Sequence, residues 1–335
     1  DFTPESRQVF RIGAASCAVP GAAAGLGEAH RRFASLPWRV LLEPAIELAR
    51  AGVVLTKPQA YLHAILDLIL RHMDEGREIY GSEGKRLVAG DRLVMADLAQ
   101  TLERLAETGA DDLYRGELAH ALSAHVRKHG GEITTQDLAE YRVITRRPVR
   151  ASFLGHDYES NPPPSTGGVL IGLGVRLVDR MRVAGPPGSA EAMAQLVEIM
   201  REQEAARGGA FGRELYRGGL ARRLLDDDEV AAIAGRLQGR LPELQRGTTH
   251  IAVVDGRGNA ASLTASTGSG SGVIVPGTGI QLNNMLGEFD LSATGGIPAP
   301  GSRFTSGMAP TVVLRDGRPR LVVGSAGSLR LRGAI

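Results

Sequence analysis

The sequence of 335 residues has one cysteine, Cys17, and only 4% aromatic side chains, and only three of its 39 basic residues are lysine. Each scarcity excludes something, apart from the lysine skew, which carries no functional meaning. A single thiol forms neither an intrachain disulfide nor a thiolate metal cluster. Set among small neighbours from Ala14 to Val19, Cys17 reads as a buried small residue rather than a nucleophile. Few aromatics leave little for base stacking. The formal net charge is +2, with both signs interspersed, so no basic footprint for nucleic acid emerges despite a pI near 8.9. No apolar run approaches the roughly 18 residues of a membrane span. The chain starts at Asp1 without Met or a signal-peptide pattern, so any targeting segment is read as missing from this sequence rather than absent by nature.

Several chemical signatures are also lacking. There is no P-loop, no G-x-G-x-x-G between a strand and a helix, no G-x-S-x-G and no H-E-x-x-H. His125 and His129 have helical spacing, but no adjacent carboxylate completes a metal site, and a solvated helix face is the plainer reading.

With 43% hydrophobic and 23% charged residues, the chain has a globular composition and can bury a real core. The first two-thirds read as mostly helical: Gly21 to Phe33, Leu41 to Ala51, Tyr61 to His72, Met95 to Glu107 and Asp112 to His129. Thr134 with Asp137 resembles a capping box. Asn161-Pro162-Pro163-Pro164 is extended, with Ser165 or Thr166 placed to cap a helix through Leu170 to Met181. A further helix carries Met193, Leu196, Val197 and Met200 on one face, expected in the core. From Thr248 the period changes to two. His250 to Val254 and Ala261 to Ser266 flank the turn Asp255 to Asn259, and Thr311 to Leu314 and Leu321 to Val323 flank the turn Arg315 to Arg318. A helical part followed by hairpins predicts an α+β fold with an antiparallel sheet.

Gly247-Thr248-Thr249-His250 stands where the period changes. A Thr hydroxyl needs a base, and the residue's own α-amine can serve, since its pKa of roughly 7.7–8.0 leaves a neutral fraction at physiological pH. Thr248 must then become an N-terminus by cleavage after Gly247. Taken alone, the tripeptide Gly-Thr-Thr is explained by ordinary β-propensity.

Other stretches accompany it in order: Val19-Pro20-Gly21, Leu36-Pro37-Trp38, Glu43 to Ala49, Gly131 to Tyr141, and Pro162 to Gly168. After Thr248-Thr249-His250 come Val253-Val254-Asp255, Gly258-Asn259-Ala260, Gly279-Ile280, Leu282-Asn283-Asn284, Met308 to Thr311 and Gly324 to Gly327. Together they resemble the gamma-glutamyltranspeptidases and their acylase-like relatives, most weakly between Arg207 and Gln245.

That resemblance implies a self-cleaving N-terminal-nucleophile hydrolase with an αββα sandwich. It implies a large-subunit-like segment 1–247, mostly helical and incomplete at its start. A small-subunit-like segment 248–335 follows, mostly strand and incomplete at its end. Thr248 matches the nucleophile, with cleavage at Gly247–Thr248. Ser266 matches a second hydroxyl that supports it, and Gly327 and Ser328 match backbone donors to the oxyanion. Asn284, Glu288, Ser306 and Gly307 match substrate-contacting positions. Glu288 stands where the family usually has Asp, and Gly307 where it has Ser. The family's carboxylate-gripping Arg falls upstream of Asp1, so neither Arg7 nor Arg11 is given that role. The resemblance implies a small-molecule amide substrate, association of the two processed segments, no cofactor and no metal. It favours a periplasmic or secreted protein, with a cytoplasmic one left open. The rival reading is a catalytically silent relative or fragment acting as a binding or structural subunit.

Overall fold

The computed structural model describes residues 9–181, 184–237, 249–288 and 299–325. The chain divides into two compact units, one of 1–144 with 267–288, the other of 145–266 with 289–335. Helices and antiparallel strands occur in both, so the fold is α+β.

The main helices of the first unit are α1 (Ala22–Phe33), α2 (Trp38–Ala51), α3 (Ala96–Thr108) and α4 (Glu117–Lys128). Pro37, with its fixed φ, sits at the N-cap of α2. The Trp38 indole N–H next to it donates to the Leu105 carbonyl at 2.8 Å, pinning α2 to α3. The core gathers Leu105, Leu113, Leu122, Val126 and Leu138 around Val273, Val275 and Leu282. Val275 belongs to a short antiparallel pair, Ile274–Val275 with Ile280–Gln281, which Val273 and Leu282 flank. Full burial of such a side chain contributes about 1.5–3 kcal/mol.

Two helices expected to be continuous are broken. The stretch from Tyr61 becomes Lys57–Ile65 and Asp67–Leu70, opened by a Thr56–Gln59 capping box. The stretch from Asp112 breaks at Gly116, whose backbone is extended. A Cβ there would lie 1.8 Å from Asp112 Oδ1, and that carboxylate is held by Arg104 at 2.6 and 3.0 Å. Arg104 holds the Asp112 carboxyl below the usual carboxylate range. The Thr134–Asp137 capping box forms, with both reciprocal bonds. Cys17 is buried, and burial pushes its thiol pKa up. His125 is buried rather than on a solvated face, because the apolar stripe of α4 wraps past it between Leu122 and Val126.

The sheet of the second unit is built from β1 (Val149–Phe153), β2 (His156–Ser160), β5 (Thr311–Arg315) and β6 (Arg318–Val323), in the order β6-β5-β2-β1. Between β2 and β5 in sequence come α5 (Gly167–Met181), α6 (Ala190–Ala205) and the hairpin β3 (Thr249–Val254) and β4 (Ala260–Ala265). Val169, Leu170 and Leu173 of α5 are fully buried; Val169 and Leu170 pack with Tyr158 of β2. On α6 the expected core face is rotated: Met193 and Leu196 are exposed, and Ile199 and Gln203 are buried. Gln203 faces inward because its side-chain amide donates to the Leu170 carbonyl at 2.8 Å.

Burial and the neighbouring His129 depress the His125 pKa below its ordinary value, with Lys128 adding to this and Glu75 opposing it. Burial and Arg86 likewise depress His63. As pH falls through about 6.5 the unfolded chain takes up these protons first, so stability drops with pH there. Thermal melts should therefore show a falling midpoint from about pH 7.5 to 5.5. His125→Gln should flatten the slope; an unchanged slope would contradict the assignment.

Candidate functional site

In the second unit the site is set by strand register. Thr311, the first residue of β5, pairs with Ser160, the last of β2, and with Val323, the last of β6. The chain before Thr311, the chain after Ser160 and the chain after Val323 therefore leave the sheet at one end. Ser160 Oγ donates to the Pro310 carbonyl at 3.1 Å and accepts from Thr311 Oγ1 at 2.9 Å, fastening this corner. Beyond it, Ser165 forms a bridge to Ser306. Ser165 Oγ donates within 3.1 Å of the Ser306 and 2.6 Å of the Met308 carbonyls, and the Thr166 N–H donates to Ser306 at 2.8 Å. A Cβ on Gly167 would sit 2.1 Å from the Gly307 carbonyl oxygen, so only glycine permits this approach. Ser306 and Gly307 are thus held by the Pro-Pro-Pro-Ser-Thr-Gly-Gly segment, and Ser306 Oγ accepts from the Met308 N–H at 3.2 Å.

The β3–β4 hairpin belongs to the same unit. Thr249 pairs with Ala265 and His250 with Thr264. Ser266, half-buried, follows Ala265 directly. His250 Nδ1 lies 2.9 Å from Thr264 Oγ1. Its Nε2 is shielded and has no hydrogen-bond partner among the described residues. Leaving a buried ring nitrogen unpaired costs about 1–3 kcal/mol. Gly247, Thr248, Gly327 and Ser328 lie outside the described residues.

In the first unit the Gly268–Gly272 loop wraps Asn284 and Glu288. Glu288 Oε1 accepts from both the backbone N–H and the hydroxyl of Ser269, each at 3.0 Å. Asn284 is 1% exposed. Its Nδ2 donates to Ser269 Oγ at 2.7 Å and to the Arg11 carbonyl at 3.2 Å, and its Oδ1 accepts from the Gly270 N–H at 3.2 Å. Both amide hydrogens are therefore committed, and Asn284 holds the loop. The result is a relay, Asn284 to Ser269 to Glu288, that fixes one carboxylate oxygen by charge-assisted bonds. Three loop glycines, Gly268, Gly270 and Gly272, have φ of +68, +85 and +72, a region that side chains resist.

Asn284 and Glu288 thus belong to one unit, and Ser266, Ser306 and Gly307 to the other. Sequence reasoning missed Ser269, because a Gly/Ser run reads as linker. It also missed Thr264, which shares a strand face with Ser266 by period-two alternation. No group of three or more His, Cys, Asp or Glu among the described residues could hold a metal, and no described helix is long and apolar enough to cross a membrane.

Comparison with known proteins gives the chain a broader setting. Residues 2–334 match the family model for gamma-glutamyltranspeptidase. The chain is 32% identical over 359 residues to the glutathione hydrolase proenzyme of Escherichia coli, covering 98% of this chain and 61% of that protein. It is 35% identical over 339 residues to the acylase ACY 1 proenzyme of Pseudomonas sp. strain SE83, covering 96% and 60%. The chain thus spans about three-fifths of the length of these relatives. Its fold is similar to that of cephalosporin acylase from Bacillus halodurans, with a TM-score of 0.83 and 24% identity, covering 98% of this chain and 63% of that one. Gamma-glutamyltranspeptidase from Pseudomonas nitroreducens, solved with L-DON, aligns with a TM-score of 0.61 and 30% identity over 69% of each chain.

The loop geometry can be tested by stability alone. A Cβ on Gly268 would lie 2.2 Å from Asn284 Oδ1 and 2.8 Å from Glu288 Oε1, whereas Gly301, with φ +75, has nothing within 4 Å. Gly268→Ala should cost about 3 kcal/mol in urea unfolding and Gly301→Ala about 1, the backbone share alone. Equal costs would contradict the packed loop.

Proposed function

This chain belongs to the gamma-glutamyltranspeptidase family, and we propose that Thr248 is its nucleophile, in a self-cleaving amide hydrolase built as an αββα sandwich. The observation that carries the reading is the Thr249–Ala265 backbone pair. Thr248 precedes one partner and Ser266 follows the other, so each hydroxyl is one peptide unit from the same pair. The α-amine is the base for a Thr nucleophile, a hydroxyl close by can support that amine, and Thr264 adds another on the Ser266 face.

Maturation proceeds without a cofactor. The Thr248 hydroxyl attacks the Gly247 carbonyl, and the peptide bond becomes an ester to Thr248 Oγ as the α-amine is released. Water then hydrolyses the ester, leaving segments 1–247 and 248–335 associated. In turnover the freed amine takes the hydroxyl proton as the oxygen attacks the substrate amide. Backbone N–H groups of Gly327 and Ser328 stabilise the oxyanion. The proton then goes to the departing amine, and water releases the acid.

The substrate is a side-chain amide of the gamma-glutamyl class or a near relative, and hydrolysis dominates over transfer. Gly307 in place of a Ser supports weak transfer, because it removes a hydroxyl beside Ser306. Glu288, one oxygen fixed by Ser269, is suited to receive an ammonium group on the acyl part.

Intact mass tests the nucleophile directly. Purified protein should contain segments 1–247 and 248–335, Thr248→Ala should stay whole and inactive, and Thr248→Ser should still cleave. Ser266→Ala should slow cleavage without abolishing it. An intact wild type that hydrolyses amides, with Thr248→Ala equally active, would refute the proposal. An intact and inactive wild type would favour a silent binding subunit. The acyl specificity is read by comparing gamma-glutamyl and glutaryl anilides, which differ only in the α-ammonium. Glu288→Gln should lower kcat/KM for the first about tenfold and leave the second near wild type. Strong transfer from gamma-glutamyl anilide to a dipeptide would overturn the preference for hydrolysis.

A further inference from the structure

We infer that His250 is a positioning residue, a pinned ring against which the chain leaving β6 at Gly324 is seated. Its role rests on Thr248 being the nucleophile. The ring is fixed on one edge, where Nδ1 meets Thr264 Oγ1 at 2.9 Å across the hairpin. Its opposite nitrogen is shielded from solvent and takes no partner among the described residues. On its face lies Gly324: a Cβ there would sit 2.3 Å from Cε1 and Nδ1 and 2.7 Å from Cγ.

Gly324 is not among the glycines with positive φ, so its conformation is open to any residue, and backbone freedom does not explain it. The ring does. Glycine at 324 and histidine at 250 form one steric fit between elements 74 residues apart in sequence. The fit joins the strand that follows the proposed nucleophile in sequence to the strand end that leads toward the proposed oxyanion donors. His250 is the second residue of β3 and follows Thr248 by two in sequence. Gly324 follows Val323, the last residue of β6, and precedes Gly327 by three. Displacing an oxyanion donor relative to a nucleophile by about 1 Å costs on the order of a hundredfold in rate, whereas substrate binding elsewhere is spared. A contact that sets this separation therefore acts on kcat and on self-cleavage, and leaves KM nearly unchanged.

A double-mutant cycle on the full chain tests the contact, using His250→Ala, Gly324→Ala and the pair together. His250→Asn is added because its amide can still bond Thr264. The readouts are the self-cleavage rate by intact mass, kcat and KM on glutaryl anilide, and the melting temperature. Gly324→Ala should slow self-cleavage and kcat about tenfold or more, with KM within about twofold. The double variant should be no slower than His250→Ala alone, because removing the ring makes room for the methyl. His250→Asn should recover several-fold of the rate lost in His250→Ala. Independent effects that multiply in the double variant, or a Gly324→Ala protein at wild-type rates, would overturn the inference. Thr248→Ala separates the two readings. If it stays active while the cycle is coupled, the nucleophile is elsewhere and the claim that His250 positions it falls. If it is inactive and the cycle is additive, the inference about His250 fails alone.

Discussion

The antiparallel pairing of β3 with β4 is the constraint on which the catalytic reading depends. Strand side chains alternate between faces, so a slip of one residue in this register would turn His250 and Thr264 away from each other. The observed register, Thr249 with Ala265, brings their side chains to 2.9 Å and places Gly324 on the ring. The four-stranded sheet supplies the matching constraint. Because Thr311 pairs with both Ser160 and Val323, the Ser306–Gly307 stretch and the exit of β6 share one sheet end. The hairpin itself exposes Ile251, Val253, Val254 and Leu263, so its register rests on backbone pairing more than on burial.

Close backbone approach recurs at both candidate sites, and glycine is the means. Gly167 against the Gly307 carbonyl, and Gly268 against Asn284 and Glu288, each leave no room for a methyl. In the Gly268–Gly272 loop, positive φ adds a second reason. The loop can then fold onto Asn284 and deliver both donors of Ser269 to one Glu288 oxygen. A carboxylate so held by two donors of one residue keeps a fixed orientation.

Local pattern made part of this legible. The period-two runs marked β3, β4, β5 and β6, and Thr134 with Asp137 marked a helix start that forms as expected. Long-range contacts carried no such signal. The breaks at Leu66 and Gly116 depend on packing and on the Arg104–Asp112 pair, which periodicity does not register. The face of α6 is set by the bond from Gln203 to Leu170, a polar residue buried where pattern favours Met193. The Ser269–Glu288 contact spans 19 residues and the His250–Gly324 contact 74, joining residues that no local window relates. Membership of the family was legible because its short motifs run in order along the chain, and residues 2–334 match the family model.

The most direct test of the account is to catch the acyl group on the protein. Turnover of glutaryl and gamma-glutamyl anilides is quenched in acid before the steady state, and the peptides are mapped by mass. The account predicts the acyl mass on the peptide that begins with Thr248, on its hydroxyl, with a free α-amine. Acyl groups on another residue, or turnover in which the protein is never acylated, would contradict it.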